Sequence, residues 1–175
     1  MLFVTRDLGF SPGAQGLIYG IGGLTSFAGA AVADWCRRRV GAGFAMIGGL
    51  TSGGIGMLLT ALAVRGTALA VCLLIAQQLV SDPGWTIYNI NQTSMRQTIA
   101  PPGVLSRVTA AEHFACLVAA LITATLAGIV ADIAGARVAL MGGACCMFAG
   151  ALVLLASPVR ESSRVQAFKG SRVQG

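Results

Sequence analysis

Charge is what this sequence has least of. Lys, Arg, Asp and Glu make up 10% of the 175 residues while 55% are hydrophobic, against a charged share of about 25% in soluble domains. A water-soluble core cannot absorb that apolar share, so the composition argues against a soluble globular domain. Acids and imidazoles are scarcer still, with six Asp and Glu and one His. The lone His113 stands beside Glu112 without an HExxH pattern, and no nucleophile elbow, phosphate-binding loop or pair of intramembrane aspartates is present. No enzymatic activity is expected, and neither a cofactor nor a metal. Cysteine is odd in number: Cys36, Cys72, Cys116, Cys145 and Cys146 form no CxxC pair and no Cys/His ligand spacing. They read as small apolar packing residues. The opening "MLFVTRDLGF" lacks a basic segment followed by a signal-length apolar run and looks like the stub of an earlier helix.

The long uncharged runs are what is present. Between Asp7 and Asp34 lie 26 uncharged residues, between Arg39 and Arg65 lie 25, and between Arg137 and Arg160 lie 22; a membrane-spanning helix needs roughly 20. The stretch from Arg65 to Arg96 is broken by Asp82, but residues 69–89 make one span with the acid inside and a proline interruption at "SDPG". Phe114 to Ala131 supplies a further 18 residues, extended back to Val108. Five spans follow, near 13–33, 42–63, 69–89, 109–131 and 138–157, in an all-α polytopic membrane protein. A net charge of +6 does not indicate nucleic acid, because the basic residues sit between apolar runs instead of covering a polar face. With five spans, Arg37, Arg38, Arg39, Arg96, Arg107, Arg160, Arg164, Lys169 and Arg172 share one side, and Arg6, Arg65 and Arg137 the other. The nine-residue side is expected to be cytoplasmic, which puts the N-terminus outside and the C-terminus inside the cell. Residues 161–175 read as a basic, disordered cytoplasmic tail.

Glycine is abundant, at 24 residues, and small residues let helices approach closely in lipid. Gly16 with Gly20 and Gly49 with Gly53 are small-xxx-small pairs. "ADWCRRRV" at 33–40 echoes "ADIAGARV" at 131–138, on opposite sides of the membrane by this topology. Inverted repeats of that kind build secondary transporters.

"NINQTSMRQTIAPPGVLSRVTAAEHF", residues 89–114, resembles the loop between the tenth and eleventh helices of one branch of the major facilitator superfamily, that of enterobactin exporters and macrolide efflux proteins. The matching residues are Asn89, Asn91, Ser94, Arg96, Gln97, Pro101, Arg107 and Val108, with Ser106 in place of the usual glycine. "LGFSPGAQG" at 8–16, "AGIVADIAGARVAL" at 127–140 and "SPVR" at 157–160 fit the same register. "ADWCRRR" resembles the superfamily's cytoplasmic loop motif, Gly-x-x-x-Asp-Arg-x-Gly-Arg-Arg: Asp34, Arg38 and Arg39 match, while Ala30, Trp35 and Arg37 stand for Gly, Arg and Gly. The resemblance implies a C-terminal six-helix half missing most of its first helix, so that residues 1–160 supply helices eight to twelve. It also implies a small-molecule exporter driven by proton antiport, a cytoplasmic switch loop at Asp34, Arg38 and Arg39, and a second loop motif at Arg96, Gln97, Pro101 and Arg107. The expected partners are the lipid bilayer of the plasma or inner membrane, the missing N-terminal half and a small drug-like or siderophore-like substrate. A non-transporting assembly subunit or an inactive truncated product remains the alternative.

Five polar residues on the third span are candidates from the residues themselves. An ionised Asp82 near the middle of the bilayer costs at least ~2.5–3.5 kcal/mol, so it should face the protein interior, stay neutral or pair. With Pro83 and Gly84 loosening the helix, Asp82 is the candidate for proton coupling, or else the cap of a local kink. Gln77, Gln78, Tyr88 and Asn89 either contact substrate or bond to neighbouring helices. Glu112 is expected in the first turn of its helix, where the dipole favours a carboxylate, and His113 in an interfacial hydrogen bond.

Overall fold

The structure, a computed structural model, describes residues 12–64, 67–101 and 103–157. The expected tail at 161–175, the N-terminal stub, and Arg6, Arg65, Arg160, Arg164, Lys169 and Arg172 lie outside these residues. Five helices follow in order: α1 (Pro12–Val40), α2 (Ala42–Leu62), α3 (Ala68–Ile99), α4 (Leu105–Ala134) and α5 (Ala136–Ala156). All five are long and apolar enough to cross a membrane, and no strand occurs among the described residues. The five membrane-length apolar helices expected from the sequence are therefore present among the described residues.

Several helices outrun their expected spans. The segment expected as a loop at 34–41 is helical to Val40, and the one expected near 90–107 is helical to Ile99 and again from Leu105. Arginine and glutamine are good helix formers, so charge marks where lipid ends and not where the helix ends. The real stops are stereochemical. Gly41 (φ 88°, ψ 155°) and Gly135 (φ 91°, ψ 151°) adopt nearly the same conformation, in a region open in practice only to glycine. Each is a one-residue joint between successive helices. The 33–40 and 131–138 echo is not matched in these joints: Gly41 follows the first copy, whereas Gly135 lies inside the second. Pro83 sits inside α3 without ending it, so the expected interruption at "SDPG" is absent. Next to the proline the Thr25 hydroxyl donates to the Gln78 carbonyl at 3.1 Å.

The helices pack as a row, α1 against α3, α3 against α2, α2 against α5 and α5 against α4. The central contacts run over glycines seven residues apart. Gly29 of α1 lies against Pro83, so that a Cβ there would stand 2.6 Å from the Pro83 Cα. Gly22 of α1 lies against Asp82 and Gln78, Gly49 of α2 against Gly84 and Tyr88, and Gly56 of α2 against Ser81 and Gln77. The expected pairs at four-residue spacing contribute less. Gly16 and Gly20 have nothing within 4 Å of a Cβ position, and Gly53 meets only the Met147 sulfur at 3.9 Å. At one end of the row Arg137 donates to the Ala63 carbonyl at 2.9 Å, closing the C-terminus of α2, and Thr67 caps α3 by accepting from the Ala70 amide at 3.2 Å. The free Cys72, Cys116, Cys145 and Cys146 are exposed on the helix surfaces.

Candidate functional site

One face of α3 gathers the polar residues that matter. Gln78, Asp82, Trp85, Asn89, Gln92 and Arg96 follow one another at alternating steps of four and three residues, which places them in a single stripe along an α-helix. At the upper end Gln78 is buried and Asp82 half-buried, both pressed against Gly22 of α1. The Asp82 carboxylate accepts from the Ser81 hydroxyl at 3.4 Å, a long contact, and forms no ion pair among the described residues. In the middle Trp85 is 46% exposed, and the Asn89 amide donates to the Trp85 carbonyl at 3.0 Å. At the lower end Gln92 donates to Glu112 of α4 at 2.8 Å, and Arg96 pairs with the same carboxylate at 2.5 Å.

This arrangement divides the five residues singled out on the span. Gln78, Asp82 and Asn89 share the stripe. Gln77 and Tyr88 point to α2 instead: Gln77 donates to Ser81 at 2.9 Å beside Gly56, and Tyr88 packs on Gly49. Trp85, absent from the sequence-based candidates, stacks on Tyr88 with centroids 5.4 Å apart. Its place three residues after Asp82 was a usable signal. Glu112 is the eighth residue of α4, beyond the first turn where it was expected, because that helix starts upstream at Leu105. Its carboxylate serves Arg96 and Gln92.

The arginine-rich end of the row is where the two loop motifs fall. Arg37 and Arg38 both clamp Asp34, at 2.5 and 2.6 Å, and Arg39 lies over the Trp35 ring at 5.9 Å. Asp34 is thus paired within its own helix, whereas Arg39 is engaged apart from it. A cavity of about 360 Å³ separates this end of α1 from α3, with Asp34, Arg37, Asn91 and Gln97 among its walls. Asn91 is fully buried; its amide donates to the Ile87 carbonyl at 2.8 Å, and its Oδ1 has no partner. Pro101 lies in the link between α3 and α4, and Arg107 is exposed in the first turn of α4. His113, exposed on α4, borders a shallow opening with Ser106 and Thr109. No family model, curated protein sequence or solved structure matches the chain. Among the described residues no group of His, Cys, Asp and Glu could hold a metal ion.

What the stripe can do follows from its chemistry and depth. Asp82 lies about 21 Å along α3 from its start, at a level where lipid cannot hydrogen-bond a carboxylate or an amide. Polar groups at that depth need protein or water over them. Gly22 and Glu112 cover the two ends, and the portion around Trp85 and Asn89 is open.

Proposed function

We propose that this chain forms the C-terminal part of a secondary active transporter of the major facilitator type, which exports a small molecule in exchange for protons. An N-terminal set of helices, in the same polypeptide or a separate one, closes the open side of α3. The observation that carries this reading is the stripe from Gln78 to Arg96, a polar track from mid-membrane to the arginine-rich end with a single unpaired carboxylate at its upper part. Asp82 is the group that takes up and releases the proton, and Gln78 and Asn89 line the path. The nine-to-three distribution of basic residues supports an N-terminus outside and an arginine-rich end in the cytoplasm, and the family resemblance supports the plasma or inner membrane.

The test is water access in the host membrane. Asn89→Cys should react with a charged, membrane-impermeant maleimide, and Val80→Cys, on the opposite side of α3, should not. Proton-driven efflux from the same cells should be lost in Asp82→Asn. A stripe that stays unlabelled, with efflux unchanged by the substitution, would replace the transporter with a non-transporting membrane subunit whose partner seals this face.

A further inference from the structure

α1 and α3 touch where Gly22 and Gly29 meet Gln78 and Pro83, and toward the arginine-rich end they part around a cavity of about 360 Å³. Ala33, Asp34 and Arg37 form its α1 wall, and Asn91, Ser94 and Gln97 belong to its α3 wall. Asn91 stands 23 residues after Ala68, the start of α3, which is roughly 35 Å along the helix. The cavity therefore lies past a hydrocarbon layer of about 30 Å, at the level of lipid headgroups.

One atom of the wall lacks what it needs. Asn91 is 0% exposed, and the atom of its amide that faces the Ile87 carbonyl at 2.8 Å must be the nitrogen, since an oxygen there would have no proton to donate. That leaves Oδ1 as the buried acceptor, and no described residue donates to it. Buried acceptors are seldom left so, because the lost solvation is not recovered. A single bridging water takes up about 10–15 Å³, a small part of this cavity. The rest of the wall defines what else can enter. Both carboxylate oxygens of Asp34 are taken, one by Arg37 and the other by Arg38, so the cavity presents no uncompensated charge. The Gln97 amide and the Ser94 hydroxyl each carry a donor and an acceptor.

We infer that this cavity binds a neutral polyhydroxyl group, such as a sugar ring, carried on a lipid or free in solution. One hydroxyl donates to Asn91 Oδ1, and others exchange hydrogen bonds with Gln97 and Ser94. A phosphate brings only acceptors and cannot serve Oδ1. An ammonium can donate to Oδ1 but has nothing to accept with, and it meets Arg37 with both Asp34 oxygens already spent. Either ion would give up its hydration for a wall with no opposite charge to spare. A hydroxyl donates and accepts at once and loses no ionic hydration. This site is separate from the stripe that carries the transporter reading and does not depend on it.

The experiment times the alkylation of a reporter at the mouth of the cavity. Thr98, exposed on its wall, gives its own hydroxyl to the Ser94 carbonyl at 2.8 Å, so Thr98→Cys leaves the inferred contacts in place. The whole chain, with this as its one cysteine, is placed in phosphatidylcholine nanodiscs and treated with N-ethylmaleimide. Monoglucosyl diacylglycerol in the bilayer, or methyl glucoside in the buffer, should slow the reaction saturably; slowing by the first alone identifies a lipid-borne group, and slowing by the second a free one. The half-saturating concentration should rise about tenfold in Asn91→Leu and about threefold in Gln97→Leu, the latter at an exposed position where folding is not at stake. Phosphatidylethanolamine and phosphatidylserine should leave the rate unchanged. Equal slowing by either charged lipid would overturn the recognition of neutral hydroxyls. A rate unchanged by both glucosides would mean that the cavity holds water alone, and slowing that survives both substitutions undiminished would put the polyol elsewhere.

Discussion

Gly29→Ala isolates the close approach of α1 and α3 in a single methyl group. The new Cβ would lie 2.6 Å from the Cα and 2.7 Å from the carbonyl oxygen of Pro83, against a favourable carbon–carbon distance of about 3.5–4.0 Å. Both neighbours are backbone atoms in mid-helix and no rotamer change can clear them, so α1 must retreat by roughly 1 Å. Overpacking of this kind costs about 1–3 kcal/mol. Alanine also favours the helix over glycine by up to about 1 kcal/mol, which would mask part of the effect. Gly23→Ala on the same helix removes that ambiguity, since nothing lies within 4 Å of its Cβ position and the propensity gain is shared. The difference between the two variants should be about 2 kcal/mol, close to a thirtyfold change in the unfolding equilibrium. Titration from mild-detergent micelles with dodecyl sulfate, followed by helix content or by steric trapping, reads it directly. If both variants unfold at the same dodecyl sulfate fraction, α1 does not lean on Pro83 and the packing order described above is wrong.

The Arg96–Glu112 pair is 16% and 28% exposed at its side chains and is the main polar tie between α3 and α4. A double-mutant cycle of Arg96→Met and Glu112→Met should give a coupling of about 1–3 kcal/mol, and zero coupling would mean that Gln92 alone holds the two helices. Arg137→Met removes the donor to the Ala63 carbonyl and should cost about 1–2 kcal/mol in the same unfolding assay; an unchanged midpoint would show that water replaces the guanidinium. In a cysteine-free background, Thr67→Cys and Ser171→Cys should react with an impermeant maleimide from opposite sides of the membrane. Labelling from one side only would break the count of five crossings.

The number and order of the helices could be read from the sequence because lipid imposes its own length on an apolar run. The helix ends could not, because the uncharged run measures the hydrocarbon layer and not the helix. At the far end of α3 the stop comes from Pro101, which forces Ala100 into an extended conformation with ψ 130°. The site was half legible. Gln78, Asp82 and Asn89 stand out by polarity alone, but only the helical phase separates them from Gln77 and Tyr88 and adds Trp85. The glycine contacts were misjudged for a related reason. A spacing of four marks neighbours on one helix face, whereas here the bearing points on α1 and α2 recur at seven, Gly22 with Gly29 and Gly49 with Gly56. Which pairs bear on α3 depends on how the helices cross, and that is not written in either helix alone.

Helix length carries a mechanical consequence. α2 and α5 have 21 residues each, about 31 Å, matching a hydrocarbon layer of about 30 Å. α1, α3 and α4 have 29, 32 and 30, and their surplus falls on the end that carries Asp34, Arg96 and Glu112. The three long helices thus exceed that layer by roughly 12–17 Å, with Arg96 near the tip of its surplus and Asp34 and Glu112 toward the base of theirs. A tilt of about 10° in the buried part of α3 would sweep its tip by roughly 3 Å, more than the 2.5 Å that separates Arg96 from Glu112. Small rotations inside the membrane are thus magnified into making or breaking an ion pair outside it.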